Sequence, residues 1–397
     1  MNSESIKVWT LKPGAELRVE AKTGGRTVKL RLLEGLAECF GAEMALEREY
    51  QLGLGEKTCI FSYQGAKVER QGDALVEYES QPSSPSIFPS LLEFYVKRGE
   101  GKRTLVLGQG KKSVTKTLAN YAFRTGSKAE ALLIDLNVSM GLLMGPGMPS
   151  VAQIDKAIEL GGDLPANCLS FFYGYISPKD APHAFSALIK SLSSTSSQKK
   201  ECPTRLILGP SDEECLDEII KVFEVDQILV IGNERLQASL KQKGHTVISL
   251  PSSGGQVELD SASRKLYHAS FYHSYFESAN FASFSVSLPI ASLSVYRYET
   301  VPRMAPQTAL PIGAVRRVDD SRLQPIPLDK SLLYCILGVL PSEPEPGAAP
   351  QPIRGLIYLM AVDEQWVTFL SPCPQPLPST HLIVGELRWM PSSSNAS

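Results

Sequence analysis

The residues with the clearest chemical potential are Gly108-Gln109-Gly110-Lys111-Lys112-Ser113. They form a glycine-rich turn between an apolar strand, TLVLG, and a helical stretch, SVTKTLANYAFRTG, that closes at Gly126. Glycines, lysines and a hydroxyl in that setting are what a polyphosphate-binding loop uses. Its backbone N–H groups arch over the phosphates, the lysine reaches the β- and γ-phosphates, and the hydroxyl holds Mg2+. That loop needs four residues between its glycines, whereas only Gln109 separates Gly108 from Gly110. A second reading is Gly-x-Gly-x-x-Ser with Asp135 at the end of the next strand, ALLIDL. It mimics a dinucleotide fingerprint with its ribose-binding acid but lacks the third glycine. The third reading is plain: a tight strand-to-helix turn favours glycine whatever it binds.

Other reactive side chains offer less. The seven cysteines, at 39, 59, 168, 202, 215, 335 and 373, are odd in number and never closer than 13 residues. No zinc-ribbon spacing exists, and reduced thiols are expected. His268 and His273 are separated by five, which does not put two ligands on one helical face. No metal ligand and no catalytic side chain is assigned from spacing.

Positioning elements fall into three groups. A length of 397 residues exceeds one ordinary core and implies two or three domains. From Ile6 to Tyr78 short segments such as KVWTL, ELRVEA and TCIFSY recur between Gly, Pro or Gly-Glu turns, the rhythm of a β sandwich or barrel. QPSSPSIFPS, at 81–90, reads as a linker into the helix SLLEFYVKRG. From Arg103 strands alternate with helices: RLILG, EECLDEIIKVF, QILVIG, then NERLQASLKQKG, capped by Asn233 and closed by Gly244, then HTVISL. That grammar predicts an α/β domain on a parallel sheet. The low-complexity SLSSTSSQKKE, 191–201, is expected to be a disordered surface loop.

After Phe281 strands return at FASFSVSLPIASLSVYRY, GLIYLMAV, WVTFLSP and HLIVGELRW, interrupted by the Pro-rich, structureless PSEPEPGAAPQP at 341–352. The expected division is a β domain over 1–85, an α/β domain over 86–285 and a small, mostly β domain over 286–397. The helix SASRKLYHASFYHSYF, 261–276, carries Tyr267, Phe271, Tyr272, Tyr275 and Phe276 at the spacing of a core stripe, with a partner hot spot as the competing reading.

Charge narrows the partners. Lys plus Arg number 40 against 42 for Asp plus Glu, a net of -2, so no whole-chain field attracts polyphosphate and a nucleic-acid coat is excluded. The pairs Arg316-Arg317 and Lys199-Lys200 are too few for an RNA track. No uncharged apolar run reaches the roughly 18 to 20 residues of a bilayer span. The start, MNSESIKVWT, lacks the basic and apolar regions of a signal peptide, so an intracellular chain without a membrane partner is expected.

Several ordered segments resemble one family. FEVDQILVIGNERLQASLKQKGHTVISLPSSGGQVE (223–258), GLAECFGAEM (35–44), NYAFR (120–124), LPIGA (310–314) and LSPCPQPLPSTHLIVGELRWM (370–390) are similar to blocks of the pre-mRNA cleavage-complex subunit called Clp, the polyribonucleotide 5′-hydroxyl-kinase family. The resemblance spans nearly the whole chain. It implies an N-terminal β-sandwich domain, a central P-loop kinase-like α/β domain and a small C-terminal domain.

Against that family's pattern the chain departs in three places. The loop between Gly108 and Lys111 is three residues short of the family's G-P-T-D-V-G-K-S-T. The family's D-V-G-Q-G reads Asn137-Val138-Ser139-Met140-Gly141, and its T-x-G-W-V-x-G strand end reads LILGPSDEE without the tryptophan. An amide cannot act as a general base and is a poor ligand for a hard cation. These departures lead to the expectation of a noncatalytic scaffold of the pre-mRNA cleavage factor, required for cleavage and polyadenylation-dependent 3′-end formation. The alternative is an active ATP-dependent RNA 5′-hydroxyl kinase.

The resemblance further implies a nuclear protein. Its partners would be the cleavage-factor subunit that contacts the RNA polymerase II tail, docked through the central domain, and other 3′-end processing factors, with RNA reached only indirectly. It also implies that Glu16, in GAELRV, and Lys57, in GEKTC, join Gly110, Lys111, Lys112 and Ser113 around ATP, held structurally with doubtful Mg2+.

Overall fold

The computed structural model describes residues 5–22, 27–53, 55–80, 86–125, 131–162, 165, 167–199, 201–256, 260–277, 283–299, 323–345 and 347–390. Gly126, Lys200, the segment 310–314, Arg316 and Arg317 lie outside them.

Alternating apolar side chains near the N-terminus make strands with one buried face. These are β1 (Ile6–Leu11), β2 (Glu16–Ala21), β3 (Val28–Gly35), β4 (Glu38–Cys39), β5 (Ala42–Glu43), β6 (Glu49–Leu52), β7 (Lys57–Phe61), β8 (Ala66–Gln71) and β9 (Ala74–Glu79). A sheet ordered β1-β8-β3-β6 and another ordered β5-β4-β7-β2-β9 share one core. Leu17, Val19 and Ile60 meet Leu30, Leu32 and Val68 there, the expected sandwich. Because side chains alternate across a strand, Glu16, Arg18 and Glu20 lie on the opposite face of β2. That face meets the next domain, where Phe61 stacks on Phe88 with ring centroids 5.2 Å apart.

The central elements are α1 (Phe88–Phe94), continued by a π turn at Tyr95–Gly99, then β10 (Arg103–Gly108), α2 (Lys111–Thr125), β11 (Ala131–Asp135), β12 (Ser150–Ile154), β13 (Leu169–Ser170), α3 (Pro182–Ser197), β14 (Arg205–Leu208), α4 (Leu216–Val222), β15 (Gln227–Ile231), α5 (Glu234–Gln242), β16 (Val247–Leu250) and α6 (Ser261–Phe276). The strand order is β13-β12-β11-β14-β10-β15-β16. Strands β11, β14, β10, β15 and β16 are parallel, but β12 and β13 run antiparallel. The sheet is therefore mixed rather than parallel. The chain passes from β11 to β12 through turns with no crossover helix, and such a direct return pairs strands antiparallel. Asn233 caps α5 as expected, its side chain accepting the Leu236 N–H at 2.9 Å.

A second correction concerns 191–201. Residues 191–197 are helical, the last turns of α3. Leu192 is fully buried there, and the hydroxyls of Thr195 and Ser197 bond back to the carbonyls of Ser191 and Ser193, both at distances under 3 Å. Burial of Leu192 against the core outweighs the low helix propensity of serine, and the back-bonded hydroxyls are satisfied within the helix instead of competing for a loop conformation.

The C-terminal strands are β17 (Phe284–Pro289), β18 (Ser294–Tyr298), β19 (Leu323–Ile326), β20 (Cys335–Val339), β21 (Leu356–Val362), β22 (Trp366–Ser371) and β23 (His381–Arg388), in one sheet ordered β17-β22-β21-β20-β23-β18-β19. One face builds its own core from Leu337, Ile357, Leu359 and Phe369. The other sends Ile336, Tyr358 and Ile383, with Trp389, into a core shared with the central domain. The described part of 341–352 carries no helix or strand.

The aromatic stripe of α6 is core rather than exposed hot spot. Tyr272 and Phe276 are buried, Phe276 stacks on Trp389 at 5.6 Å, and Tyr275 Oη accepts the Leu356 N–H at 3.0 Å. Tyr267, one end of the stripe, instead meets the glycine-rich turn.

Candidate functional site

Strand β10 ends on Gly108, whose φ of +94° and approach to Ile231 leave no room for a side chain: a Cβ would lie 2.1 Å from the Ile231 carbonyl oxygen. Gln109 N–H donates to that carbonyl at 3.1 Å, and the Gly110 carbonyl accepts Val114 N–H at 3.0 Å, so α2 begins at once. The turn is short, and Lys111, Lys112 and Ser113 open the helix directly after Gly110, whose left-handed φ of +73° leads into the helix's anion-favouring N–H end.

The two lysines diverge. Lys111 Nζ donates to Ser211 Oγ at 3.3 Å, just beyond the end of β14. Burial pulls its ammonium down to about 8, against the opposing charges of Asp135, Cys215 and Asp212. Lys112 Nζ donates to Tyr267 Oη at 2.5 Å, and Tyr267 in turn donates to the Gly141 carbonyl at 2.9 Å. Ser113 is exposed.

Asp135 does not serve a ribose. Its carboxylate accepts the backbone N–H groups of Asn137 and Leu143, both at 3.0 Å, and of Leu142. It is fully buried, and burial raises it above the usual carboxylate range despite those bonds. The group organises its own loop, and the dinucleotide reading loses its acid. Asn137 is likewise engaged, its Oδ1 accepting the Ser139 hydroxyl at 3.0 Å.

Glu16 approaches from the sandwich. Its Oε2 accepts Arg18 Nε at 2.9 Å and Nη2 at 2.7 Å, and Cys59 Sγ at 3.4 Å. Oε1 is buried with no partner among the described residues, in a side chain only 1% exposed. An unsatisfied buried carboxylate oxygen is costly, and a ligand donor would relieve it. Burial, and then the Glu16 charge, push the Cys59 thiol well above its usual range, so it is no nucleophile.

The turn at Ser253–Gln256 connects the two sides. Ser253 Oγ accepts from Arg18 Nη2 at 3.4 Å, while Gln256 Oε1 lies 2.8 Å from where a Gly110 Cβ would stand. Glu16, through Arg18, and the glycine-rich turn, through Gly110, thus contact the same short segment. Lys57 sits elsewhere on the sheet, paired with Glu20 at 3.1 Å. Its register partner is Glu20 while that of Glu16 is Phe61, about 13 Å farther along the strands at a rise of about 3.3 Å per residue. Sequence reasoning missed Arg18, Ser211, Ser253, Gln256 and, as a site residue, Tyr267. Arg18 had a local signal, being on the Glu16 face two residues on; the others arrive from distant segments.

Family models match three consecutive stretches. The N-terminal β-sandwich domain of polyadenylation factor matches residues 10–96, the mRNA cleavage and polyadenylation factor CLP1 P-loop matches 108–278, and pre-mRNA cleavage complex II protein Clp1 matches 282–391. A polyribonucleotide 5′-hydroxyl-kinase Clp1 of Danio rerio is 30% identical, over 94% of this chain and 92% of that protein. A CLP1 homolog of Nematostella vectensis is 28% identical, over 98% and 97%.

Among solved structures, Clp1p in complex with Pcf11p, described for an extended interface and for ATP loss in a point mutant, superposes with a TM-score of 0.79. It is 18% identical and covers 97% of this chain and 99% of that one. The β-sandwich, P-loop α/β and mostly β C-terminal architecture is thereby established.

One expectation is overturned. The short loop, Asn137 and Met140 argued that the chain is not an enzyme, yet relatives from Danio rerio and Gallus gallus that align along nearly its whole length are named as kinases. Drift in these motifs is a weak guide, because phosphoryl transfer rests on positioned charge that other residues can supply. With relatives matched end to end and all three domains accounted for, this chain belongs to the Clp1 family of pre-mRNA cleavage-complex proteins.

Proposed function

We propose that the chain is an ATP-dependent RNA 5′-hydroxyl kinase acting within the pre-mRNA 3′-end cleavage complex. The observation that carries this reading is the junction at the Ser253–Gln256 turn, read here as a nucleotide cleft: Arg18, bonded to Glu16, meets Ser253, and Gly110, just before Lys111 and Lys112, meets Gln256. Glu16 Oε1 is buried there with no partner among the described residues. Glu16 and Arg18 suit the donors and acceptors of a nucleoside, while the helix end and the lysines suit its phosphates. Lys57, paired with Glu20, would join only if that pair opens.

In the transfer, the RNA 5′-oxygen attacks the γ-phosphorus as the bond to the β–γ bridging oxygen breaks, and ADP leaves. The hydroxyl proton needs an acceptor that Asn137 cannot provide. Asp212 stands beside Ser211 at the end of β14 and acts on the Lys111 charge, so it takes that role in this reading. Its carboxylate is held by Ser177 Oγ at 2.7 Å and Lys179 at 3.0 Å.

The divalent metal that a P-loop kinase implies finds few ligands here. The buried Asp135 is spent on backbone N–H groups, and the residue after Gly110-Lys111 is a lysine. Membership of a pre-mRNA cleavage-complex family, whose structural neighbour is Clp1p bound to Pcf11p, supports a cleavage-factor partner and a nuclear location; in this reading the partner is the subunit that contacts the RNA polymerase II tail, docked through the central domain.

Labelled ATP and a 5′-hydroxyl RNA oligonucleotide test the reading. Transfer to the RNA end is expected, falling on the order of 10² to 10⁴ in Asp212→Asn and in Lys111→Ala. ATP binding without any transfer would remove the kinase assignment and leave a nucleotide-binding subunit.

A further inference from the structure

In a P-loop the residue after Gly-Lys is Ser or Thr, and its hydroxyl oxygen ligates the metal that bridges the β- and γ-phosphates. In this chain α2 starts at Lys111, directly after Gly110, and Lys111 reaches across to Ser211 at the adjacent strand end. The position of the metal-binding hydroxyl therefore falls on Lys112. An ammonium has three donors and no acceptor, so it cannot ligate a cation. Resting on the reading of the cleft as a nucleotide site, we propose that Lys112, held in place by Tyr267, is a built-in cation that takes the place of the divalent metal on the β- and γ-phosphates.

The second observation is how Lys112 is held. Long lysine side chains at a helix start are normally free to swing, but Lys112 Nζ is bonded to Tyr267 Oη at 2.5 Å. The Tyr267 proton goes to the Gly141 carbonyl, which turns a lone pair of Oη toward the lysine. Among the described residues one donor is used, which leaves two for phosphate oxygens.

Tyr267 is itself fixed. The next residue, His268, bonds through Nε2 to the Ser139 carbonyl at 2.8 Å. One turn on, Phe271 packs so close to Gly145 that a Cβ there would lie 2.2 Å from its ring. Helix α6 thus clamps the 139–145 loop with three consecutive contacts, and Tyr267 presents its hydroxyl to Lys112 from a rigid base. Tyr267 acts as a positioning residue, and Lys112 as the group that meets phosphate.

The metal site and the fixed ammonium exclude each other. A cation placed beside Lys112 would be repelled by it. The buried carboxylate that feels the Lys112 charge, Asp135, has its oxygens bonded to the N–H groups of Asn137, Leu142 and Leu143.

Calorimetric titration of the full chain with ATP, in EDTA and in Mg2+, tests this. Wild type is expected to bind ATP with affinities within about threefold of each other in the two buffers. Lys112→Ser, which restores Gly-Lys-Ser, is expected to bind at least about tenfold more tightly with Mg2+ than without. Tyr267→Phe keeps the ring and packing but loses the hydroxyl. It should weaken ATP in EDTA and let Mg2+ recover part of the loss, which a merely structural role would not do; melting curves confirm that each variant is folded. A wild type that needs Mg2+ by tenfold or more, or a Lys112→Ser variant indifferent to it, overturns the built-in cation while the nucleotide site stands. No ATP binding in either buffer by wild type and Lys112→Ser alike overturns both.

Discussion

Lys111 Nζ lies 3.3 Å from Ser211 Oγ, wedged between the start of α2 and the end of β14, and burial there holds its ammonium near 8 instead of 10.5. Binding a phosphate favours the charged form and raises this value again. The sign follows: ATP affinity is full below about pH 8 and falls as the pH rises through it, by up to about tenfold per unit. Without ligand the effect on stability is opposite. Between about 8 and 10.5 the unfolded chain binds more protons, so the free protein gains stability from this group as pH rises. Titrations with ATP across that range should show the fall in wild type and a flatter profile in Lys111→Arg. A flat wild-type profile would mean that Lys111 does not meet phosphate.

Glu16 offers a second test because one of its oxygens is bonded and the other is not. Glu16→Gln keeps the shape but replaces the charge that two Arg18 N–H groups share at 2.9 and 2.7 Å. Removing a charged hydrogen-bond acceptor costs roughly 1.5 to 3 kcal/mol. A loss of about tenfold in ATP affinity, with a melting point a few degrees lower, is expected by calorimetry and thermal melts. An unchanged affinity would move the nucleoside away from this carboxylate.

Much of the fold was legible because local physics fixed it. The alternation of ELRVEA and TCIFSY marked strands of the sandwich, and the Asn233 cap and Gly244 stop bounded α5 within a residue or two. The tail of α3 was illegible because a run of serines looks like a loop until Leu192 finds the core. The antiparallel pair β12 and β13 was hidden by brevity, since β13 has two residues. Around the candidate site, motif and resemblance named Gly110 to Ser113 and Glu16, which the fold places on two sides of the Ser253–Gln256 turn. Tyr267 was not, since 155 positions separate it from Lys112 and only tertiary packing joins them.

Limited proteolysis distinguishes two polar stretches that look alike in sequence. The described residues of 341–352 have no helix or strand, whereas 191–197 closes α3 with buried Leu192 and Ser196. Nicking should begin within 341–352 and spare 191–197, because cleavage needs backbone that can leave its hydrogen bonds. Mass spectrometry of early fragments reports this directly, and an early cut between Ser191 and Ser197 would contradict the helix.

Trp389 lies far from the cleft in sequence but touches the helix that organises it. Its ring stacks on Phe276 at 5.6 Å and meets Tyr358 edge-on at 5.0 Å, and only 3% of it is exposed. Trp389→Ala should cost about 3 to 5 kcal/mol, the usual range for emptying a large aromatic site. Helix α6 runs without interruption from Phe276 back to Tyr267, so loosening its C-terminal end should also loosen the grip on Lys112 and Gly141. The control is Leu337→Ala, a fully buried residue in the separate core on the other face of the C-terminal sheet, with a similar cost of about 2 to 5 kcal/mol. At a temperature where both variants stay folded, ATP affinity should drop several-fold in Trp389→Ala and hold in Leu337→Ala. Equal affinity in the two would show that α6 transmits nothing from the C-terminal sheet and that Tyr267 is held by its loop contacts alone.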